Sequence, residues 1–178
     1  MAADTVERCS FEARLECHYL LHAPAEVDER TLLVLALHGY GSNPEVMLRL
    51  TKTMLGDRHA IASVQAPSQF YPANAPESTV GYCWTSHVHS QAWVRLHHEM
   101  VRHVTKEAGG RFGISAARTL LVGFSQPVGL NYRFGLQPTE DAAQNGDDLR
   151  RGPLEVRKTT RARRSYFRDV ATGAFIFR

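Results

Sequence analysis

Three short segments that are almost continuously apolar restrict the fold more than any other feature of this chain. They are residues 32–37, 60–64 and 119–122. Strands with apolar side chains on both faces are typical of parallel sheets that are covered by helices on either side. Helix-like apolar spacing follows the first segment from residue 44 and recurs over residues 90–108. This alternation predicts an α/β fold.

Local signals predict where several elements begin and end. Asn43 and Pro44 are typical of an N-cap and a first helical residue, and Gly56 is expected to end that helix. A Gly-Gly pair is expected to end the helix over residues 90–108. Residues 10–23 partly alternate apolar and polar side chains, which predicts a half-buried strand.

The turn after the third apolar segment carries the strongest chemical signal. Gly123-Phe124-Ser125 closes a predicted strand and opens a predicted helix, which is the setting of a nucleophile elbow. The usual motif is G-x-S-x-G, and Pro127 holds its last position. Proline is tolerated in a first helical turn, and it leaves the N–H of Gln126 intact. We therefore predict Ser125 as a nucleophile and the Gln126 amide as an oxyanion donor.

A second glycine-rich turn follows the first apolar segment. It reads His38-Gly39-Tyr40-Gly41. In folds with a nucleophile elbow, a loop at this place supplies the other oxyanion amide. We assign that amide to Tyr40. Two turns in this order, each at the end of a predicted strand, make a far more specific pattern than G-x-S alone.

With these turns, the sequence resembles the phospholipase/carboxylesterase family of α/β-hydrolases, which includes acyl-protein thioesterases. The resemblance rests on the L-H-G-x-G loop, the Gly-Phe-Ser-Gln elbow and the aromatic segment 81–84, and covers about residues 10–134. It implies a mostly parallel sheet with helices on both faces. It also implies hydrolysis of a small acyl ester or thioester through an acyl-serine intermediate, without a cofactor. Trp84 is then expected near the acyl substrate.

The chain departs from this family after the elbow. The triad order of α/β-hydrolases places Asp or Glu and then His after the serine, yet all nine histidines lie at or before His103. The triad acid and base therefore stay unassigned, and the later aspartates occupy no recognisable strand end. They are Asp141, Asp147, Asp148 and Asp169. Two further core strands are missing, which predicts an unpaired, aggregation-prone sheet edge.

We divide the chain into a partial α/β-hydrolase domain, residues 1–134, and an atypical segment, residues 135–178. The second segment holds 8 of the 18 arginines and loses clear periodicity, apart from a predicted hairpin of residues 165–170 and 174–177. An Arg-rich, Lys-poor sequence suits translation of a GC-rich gene out of frame. Alternative splicing or a divergent C-terminus gives the same pattern.

Composition excludes several classes of protein. A net charge of +3 is too small to indicate a dedicated polyanion binder, and no apolar run approaches the roughly 20 residues that span a bilayer. Three cysteines cannot all pair within the chain, and no secretory signal is recognisable, so a cytoplasmic location is expected. Metal-type spacing is absent among the cysteines and histidines, so no metal site is expected.

Two alternatives stay open at this stage. One is a catalytically inactive, hydrolase-like module that binds acyl ligands or a protein partner. The other is nucleic-acid binding through the basic run of residues 157–164, although no nucleic-acid partner is expected for the family. Two histidines have plainer interpretations: His38 is expected to shape its loop by packing, and His98 is expected to point away from the core.

Overall fold

A computed structural model describes residues 5–73, 75–76 and 79–137, and the backbone of two later strands, residues 167–169 and 174–177. Three α-helices and one short 3-10 helix, Ala116–Arg118, occur in the described part of the chain, and two sheets contain its strands. The strands are β1 (Tyr19–His22), β2 (Leu33–Leu37), β3 (Ala60–Val64), β4 (Ser68–Phe70), β5 (Gly81–Cys83), β6 (Thr119–Phe124), β7 (Phe167–Asp169) and β8 (Ala174–Phe177). The helices are α1 (Pro44–Leu55), α2 (Ser90–Phe112) and α3 (Pro127–Gly135).

The main sheet is six-stranded, in the order β1-β3-β2-β6-β8-β7. β2 lies at its centre and pairs in parallel with both β3 and β6. β1 is antiparallel to β3, so the parallel part of the sheet is β3-β2-β6. The carboxyl ends of these parallel strands meet at one edge, where Leu37 lies opposite Gly123. This register brings the two glycine-rich turns of the sequence together.

Helix α1 covers one face of the sheet. Asn43 caps it, because the Asn43 Oδ1 accepts the Val46 N–H at 2.9 Å, and Gly56 ends it at φ 76°. Both boundaries confirm the sequence prediction. Below the helix lies a wholly apolar cluster: Val34, Ala36, Met47, Ile61, Leu120 and Val122. The buried Ser63 hydroxyl donates to the Pro44 carbonyl at 2.8 Å, which fastens the start of α1 to β3.

Helices α2 and α3 cover the opposite face. Helix α2 ends at Gly113, at φ 64°, so the predicted end at Gly109 is wrong. Gly109 lies inside the helix for a different reason. A Cβ there would lie 2.7 Å from the Ile114 carbonyl oxygen, where the chain turns back towards the sheet. The Gly-Gly pair that predicts a helix end therefore includes a residue needed for close packing.

The prediction that His98 points away from the core is also wrong. Only 3% of His98 is exposed, and its ring contacts the ring of Phe134 at a centroid distance of 5.3 Å. Phe134 belongs to α3, which packs against this side of α2. The apolar stripe of α2, viewed alone, does not reveal a second helix beside it.

The two ends of the main sheet differ from expectation. At one end, strand β1 covers only four residues of the predicted segment 10–23, and residues 10–18, which precede it, are exposed. At the other end, the edge of β6 is paired, since β8 lies antiparallel to it. The expectation of an unpaired edge at β6 is therefore wrong. The predicted hairpin is confirmed, with β7 antiparallel to β8.

The architecture confirms an α/β fold with helices on both faces of a mixed sheet whose core strands are parallel. No parallel strand follows β6 within the described residues. The division at residue 134 stays a proposal, because most of residues 135–178 lie outside the described part. In that described part, no helix combines the length and apolar character needed to cross a membrane.

Candidate active site

Ser125 occupies a sharp turn between β6 and α3. Its φ of 62° lies in the left-handed region, which a residue with a side chain rarely adopts. The turn leaves Ser125 exposed at the carboxyl end of the strand. A Cβ on Gly123 would lie only 2.5 Å from the Asn131 Nδ2, so β6 and α3 approach closely at this point. Both features are those of a nucleophile elbow.

The loop after β2 lies directly against this elbow. A Cβ on Gly39 would be 3.0 Å from the Phe124 Cδ1 and 3.4 Å from the Ser125 Cβ. Gly41, at φ 72°, donates its N–H to the Tyr82 carbonyl at 2.9 Å. The glycines allow the loop to approach the elbow on one side and β5 on the other. The structure thus brings together the two turns that the sequence singles out.

His38 holds this loop from within the core. The Ala66 N–H donates to its Nε2 at 3.1 Å, so the ring proton lies on Nδ1, which donates to the Gly39 carbonyl at 2.8 Å. Burial lowers the pKa of His38 below its usual value. Because both ring nitrogens are engaged and the ring is 1% exposed, His38 is not available as a base for Ser125. This agrees with the loop-packing role expected from the sequence.

The side chain of Gln126 fastens the aromatic segment to the elbow. Its Oε1 accepts the Trp84 N–H at 2.8 Å, and its Nε2 donates to the Thr85 carbonyl at 2.9 Å. Trp84 is fully buried, and its Nε1 donates to the His38 carbonyl at 2.8 Å. These contacts are those of a residue that positions the loop after β2. The substrate-binding role of Trp84 stays a prediction.

Two backbone N–H groups beside Ser125 have no hydrogen-bond partner within the described residues. They belong to Tyr40 and Gln126, the two residues predicted as oxyanion donors. Gln126 is also the N-cap of α3, whose first N–H groups and dipole favour negative charge. Donors of this kind suit the oxyanion that forms when a serine attacks an acyl group.

Behind the elbow lies a buried polar cluster, which we define as His97, His98 and Asn131. The His97 Nε2 donates to the Asn131 Oδ1 at 3.1 Å, and both residues are 0% exposed. Burial lowers the pKa of His97 to about 3, so its ring is neutral. Three buried atoms of the cluster lack a hydrogen-bond partner within the described residues: His97 Nδ1, His98 Nε2 and Asn131 Nδ2.

Sequence reasoning missed this cluster. Helical spacing puts His97 on the apolar side of α2, but nothing local indicates that Asn131 faces it from a helix that begins two residues after Ser125. The sequence signal for the cluster is Gly123, whose lack of a side chain leaves room for the Asn131 amide. The cluster thus joins α2, α3 and the elbow strand.

In the described part of the chain, no hydrogen bond joins the Ser125 hydroxyl to a histidine or to a carboxylate. Among the four later aspartates, Asp169 is the last residue of β7, and the other three lie outside the described part, as does the basic run 157–164. Within the described residues, no group of three or more His, Cys, Asp and Glu side chains is arranged to hold a metal ion.

Several solved structures have a similar fold. Esterase PE8 is 22% identical with a TM-score of 0.52, covering 70% of this chain and 59% of that chain. A carboxylesterase from Mesorhizobium loti is 19% identical with a TM-score of 0.51, covering 68% and 55%. YahD, solved with malic acid, is 12% identical with a TM-score of 0.50, covering 68% and 57%.

The chain therefore spans a little more than half of the length of each of these proteins. At such identities the likeness shows the fold alone, and it agrees with the α/β-hydrolase class predicted from the sequence. No protein-family model matches the chain, and no curated protein sequence matches it.

Proposed function

We propose that this chain carries the nucleophile and oxyanion half of a serine hydrolase for carboxylic esters or thioesters. The observation that supports this most is the left-handed backbone of Ser125 with the Gly39 turn packed against it. Strained backbone at such a turn needs support from its surroundings, and the Gln126 side chain gives such support. The named esterase neighbours agree with this chemistry.

In the proposed reaction, the Ser125 Oγ attacks the acyl carbon and its proton passes to a base. The tetrahedral oxyanion accepts hydrogen bonds from the Tyr40 and Gln126 N–H groups. Its collapse expels the alcohol or thiol, which takes up a proton, and leaves an acyl-serine that water then hydrolyses. No cofactor takes part.

The base is the component of this reaction that the described residues leave unassigned. His38 is occupied at both ring nitrogens, and His97 is buried behind the elbow. Loss of the base costs about 10⁶ in kcat in a studied serine protease, while about 10³–10⁴ over water remains. We therefore expect slow acylation that depends on Ser125. Acylation should be fastest with reagents that carry an activated acyl or phosphonyl group.

A labelling experiment tests the nucleophile. The full chain is incubated with a fluorophosphonate, and the adduct is located by intact mass and peptide mapping. We expect one adduct, lost in both Ser125→Ala and Ser125→Gly and kept in Ser115→Ala, an exposed serine that precedes β6. The glycine variant accepts the left-handed backbone, so it separates loss of the hydroxyl from loss of the fold. An equal adduct in all variants, or none in the parent, contradicts the proposal.

The engaged ring of His38 also favours a second candidate, an inactive module that binds acyl ligands. It predicts a folded chain that binds an ester analogue but forms no phosphonate adduct. Nucleic-acid binding stays an alternative that rests on residues outside the described part. Salt-sensitive binding of RNA or DNA that is lost on removal of residues 150–178 would support it.

The domain division and the cytoplasmic location are also proposals. We expect limited proteolysis to release a resistant fragment that ends near residue 134. Cleavage that spares this region and cuts inside residues 19–124 would contradict the division. The cytoplasmic proposal rests on the cysteines, of which Cys9 and Cys17 are exposed free thiols and Cys83 is a half-buried one.

A further inference from the structure

An exposed aromatic ring lies on the loop that packs against Ser125. The ring of Tyr40 is stacked on that of Phe70, with centroids 4.8 Å apart and planes inclined by 25°. Even so, 63% of Tyr40 is exposed. One face of its ring is thus covered by protein, while much of its surface is open to solvent. We refer to Tyr40 and Phe70 as the aromatic platform.

The platform is held by backbone contacts on both sides. Phe70 lies opposite Gly81 in the β4–β5 pair. A Cβ on Gly81 would lie 3.2 Å from the Gly41 Cα, so β5 approaches the loop after β2 without room for a side chain. The Gly41 N–H to Tyr82 carbonyl bond closes the same contact. Because the two rings rest on each other and these contacts hold the backbone beside them, less conformational entropy is lost when a ligand stacks than with two free side chains.

The platform lies close to the nucleophile. A Cβ on Gly39 would be 3.4 Å from the Ser125 Cβ, and Tyr40 is the next residue, with its Cα about 3.8 Å farther along the chain. Phe124, which is 39% exposed, contacts the same glycine. The loop of residues 39–41 thus contacts Ser125 at Gly39 and the Phe70 ring at Gly41, where a Cβ would lie 3.8 Å from the Phe70 Cζ.

We propose that the aromatic platform selects esters or thioesters with an aromatic ring close to the scissile carbonyl, an inference that rests on the proposed function. A flexible acyl chain gains affinity only where protein surrounds most of its surface. A planar ring gains from one open aromatic face, because offset stacking adds to the burial of area. The ring belongs to either the acyl or the alcohol half of the substrate.

Unreactive ketones test this selection without any turnover. Phenylacetone replaces the ester oxygen of phenyl acetate with CH₂, and propiophenone does the same for methyl benzoate. Each is compared with its cyclohexyl counterpart, which is similar in size and has no π system. Dissociation constants come from ¹H–¹⁵N NMR titrations of the full chain. We expect at least one aromatic ketone to bind about 2- to 10-fold more tightly than its counterpart.

Substitutions locate the preference. Tyr40→Leu and Phe70→Leu are each expected to bring the ratio of the two dissociation constants to about one. Phe112→Leu is the matched control. Like Phe70, Phe112 is half-buried, but it is the last residue of α2 and lies at the far end of the sheet. Tyr40 lies in a loop and Phe70 in β4, so the test survives if one of the two variants misfolds. Thermal melting detects misfolding.

The outcomes separate this inference from the proposed function. All titrations are repeated in Ser125→Ala, where ketone binding persists if the platform acts as proposed. Equal affinities within both ketone pairs, or a preference that survives both leucine substitutions, overturns the platform while phosphonate labelling still tests the nucleophile. A clear preference together with absent labelling overturns the proposed hydrolysis and leaves the platform as a binding site for aromatic carbonyl compounds.

Discussion

The two faces of the central sheet differ in how many unpaired polar groups their cores contain. Beneath α1 the core is apolar, and the two buried hydroxyls beside it are both paired: Thr51 donates to the Met47 carbonyl and Ser63 to the Pro44 carbonyl. Beneath α2 and α3 the core contains the polar cluster behind Ser125, with three atoms left without a described partner. Buried unpaired polar groups are costly. We infer that the core beneath α1 contributes more to the free energy of unfolding. The core beneath α2 and α3 is less stabilising because it contains the polar cluster that packs behind the elbow.

The largest expected loss of stability comes from a substitution beneath α1, away from Ser125. Met47→Ala removes a side chain that is 2% exposed and leaves a cavity beneath α1. We expect the free energy of unfolding to fall by about 2–5 kcal/mol. Urea unfolding measures this change. At temperatures where the variant stays folded, phosphonate labelling of Ser125 should proceed at the parent rate, and a slower rate would contradict the division between the faces.

A smaller loss of stability is expected from the other face, together with a change in labelling. Gly123→Ala places a methyl group 2.5 Å from the Asn131 Nδ2. We expect a loss of about 1–3 kcal/mol and slower labelling, because α3 must shift away from β6. Gly110→Ala is the control: it lies in α2 with nothing within 4 Å of the new Cβ, and should stabilise the chain by up to about 1 kcal/mol. Equal effects of both substitutions would contradict the contact.

The polar cluster should also make stability depend on pH. The pKa of His97 is lowered to about 3, whereas an unfolded histidine takes up a proton near pH 6.5. Above pH 6.5 both states are neutral, so His97 causes no slope. Below it only the unfolded chain binds the proton, and stability should fall by up to about 1.4 kcal/mol per pH unit towards pH 3.

Urea unfolding at pH 7.0, 6.0 and 5.0 measures this slope. His98, whose pKa is also lowered by burial, adds a slope of the same sign. His97→Gln keeps a polar side chain opposite Asn131 and should reduce the slope. An unchanged slope in this variant would show that His97 is not the group responsible.

The smallest expected effect concerns the fastening of the aromatic segment. Gln126→Glu retains an acceptor for the Trp84 N–H but loses the donor to the Thr85 carbonyl. We expect a loss of about 0.5–1.5 kcal/mol at neutral pH, measured by urea unfolding. At low pH a protonated carboxyl regains a donor, so the difference from the parent should narrow. A difference that widens would contradict the assigned bond.

The parts of this molecule that sequence reasoning predicted carry their signals locally. The apolar runs of β2 and β6, the Asn43 cap and the turn at Ser125 are each encoded within a few residues. The missed features need partners that are distant in sequence. His98 is buried because α3 covers it, and β8 closes an edge that was expected to be open. The role of the Gln126 side chain depends on Thr85, which no spacing rule connects to it.

The central position of β2 has a consequence for the order of folding. Its neighbour β3 is close in sequence, but its other neighbour β6 pairs Thr119 with Leu33 across most of the described chain. Closing so long a loop costs entropy before any contact repays it, and such contacts form late. We therefore expect β1, β2, α1 and β3 to assemble first. The elbow at Ser125 then forms only after β6 pairs with β2, so a ribosome-bound chain acquires this turn only once β6 and α3 have emerged.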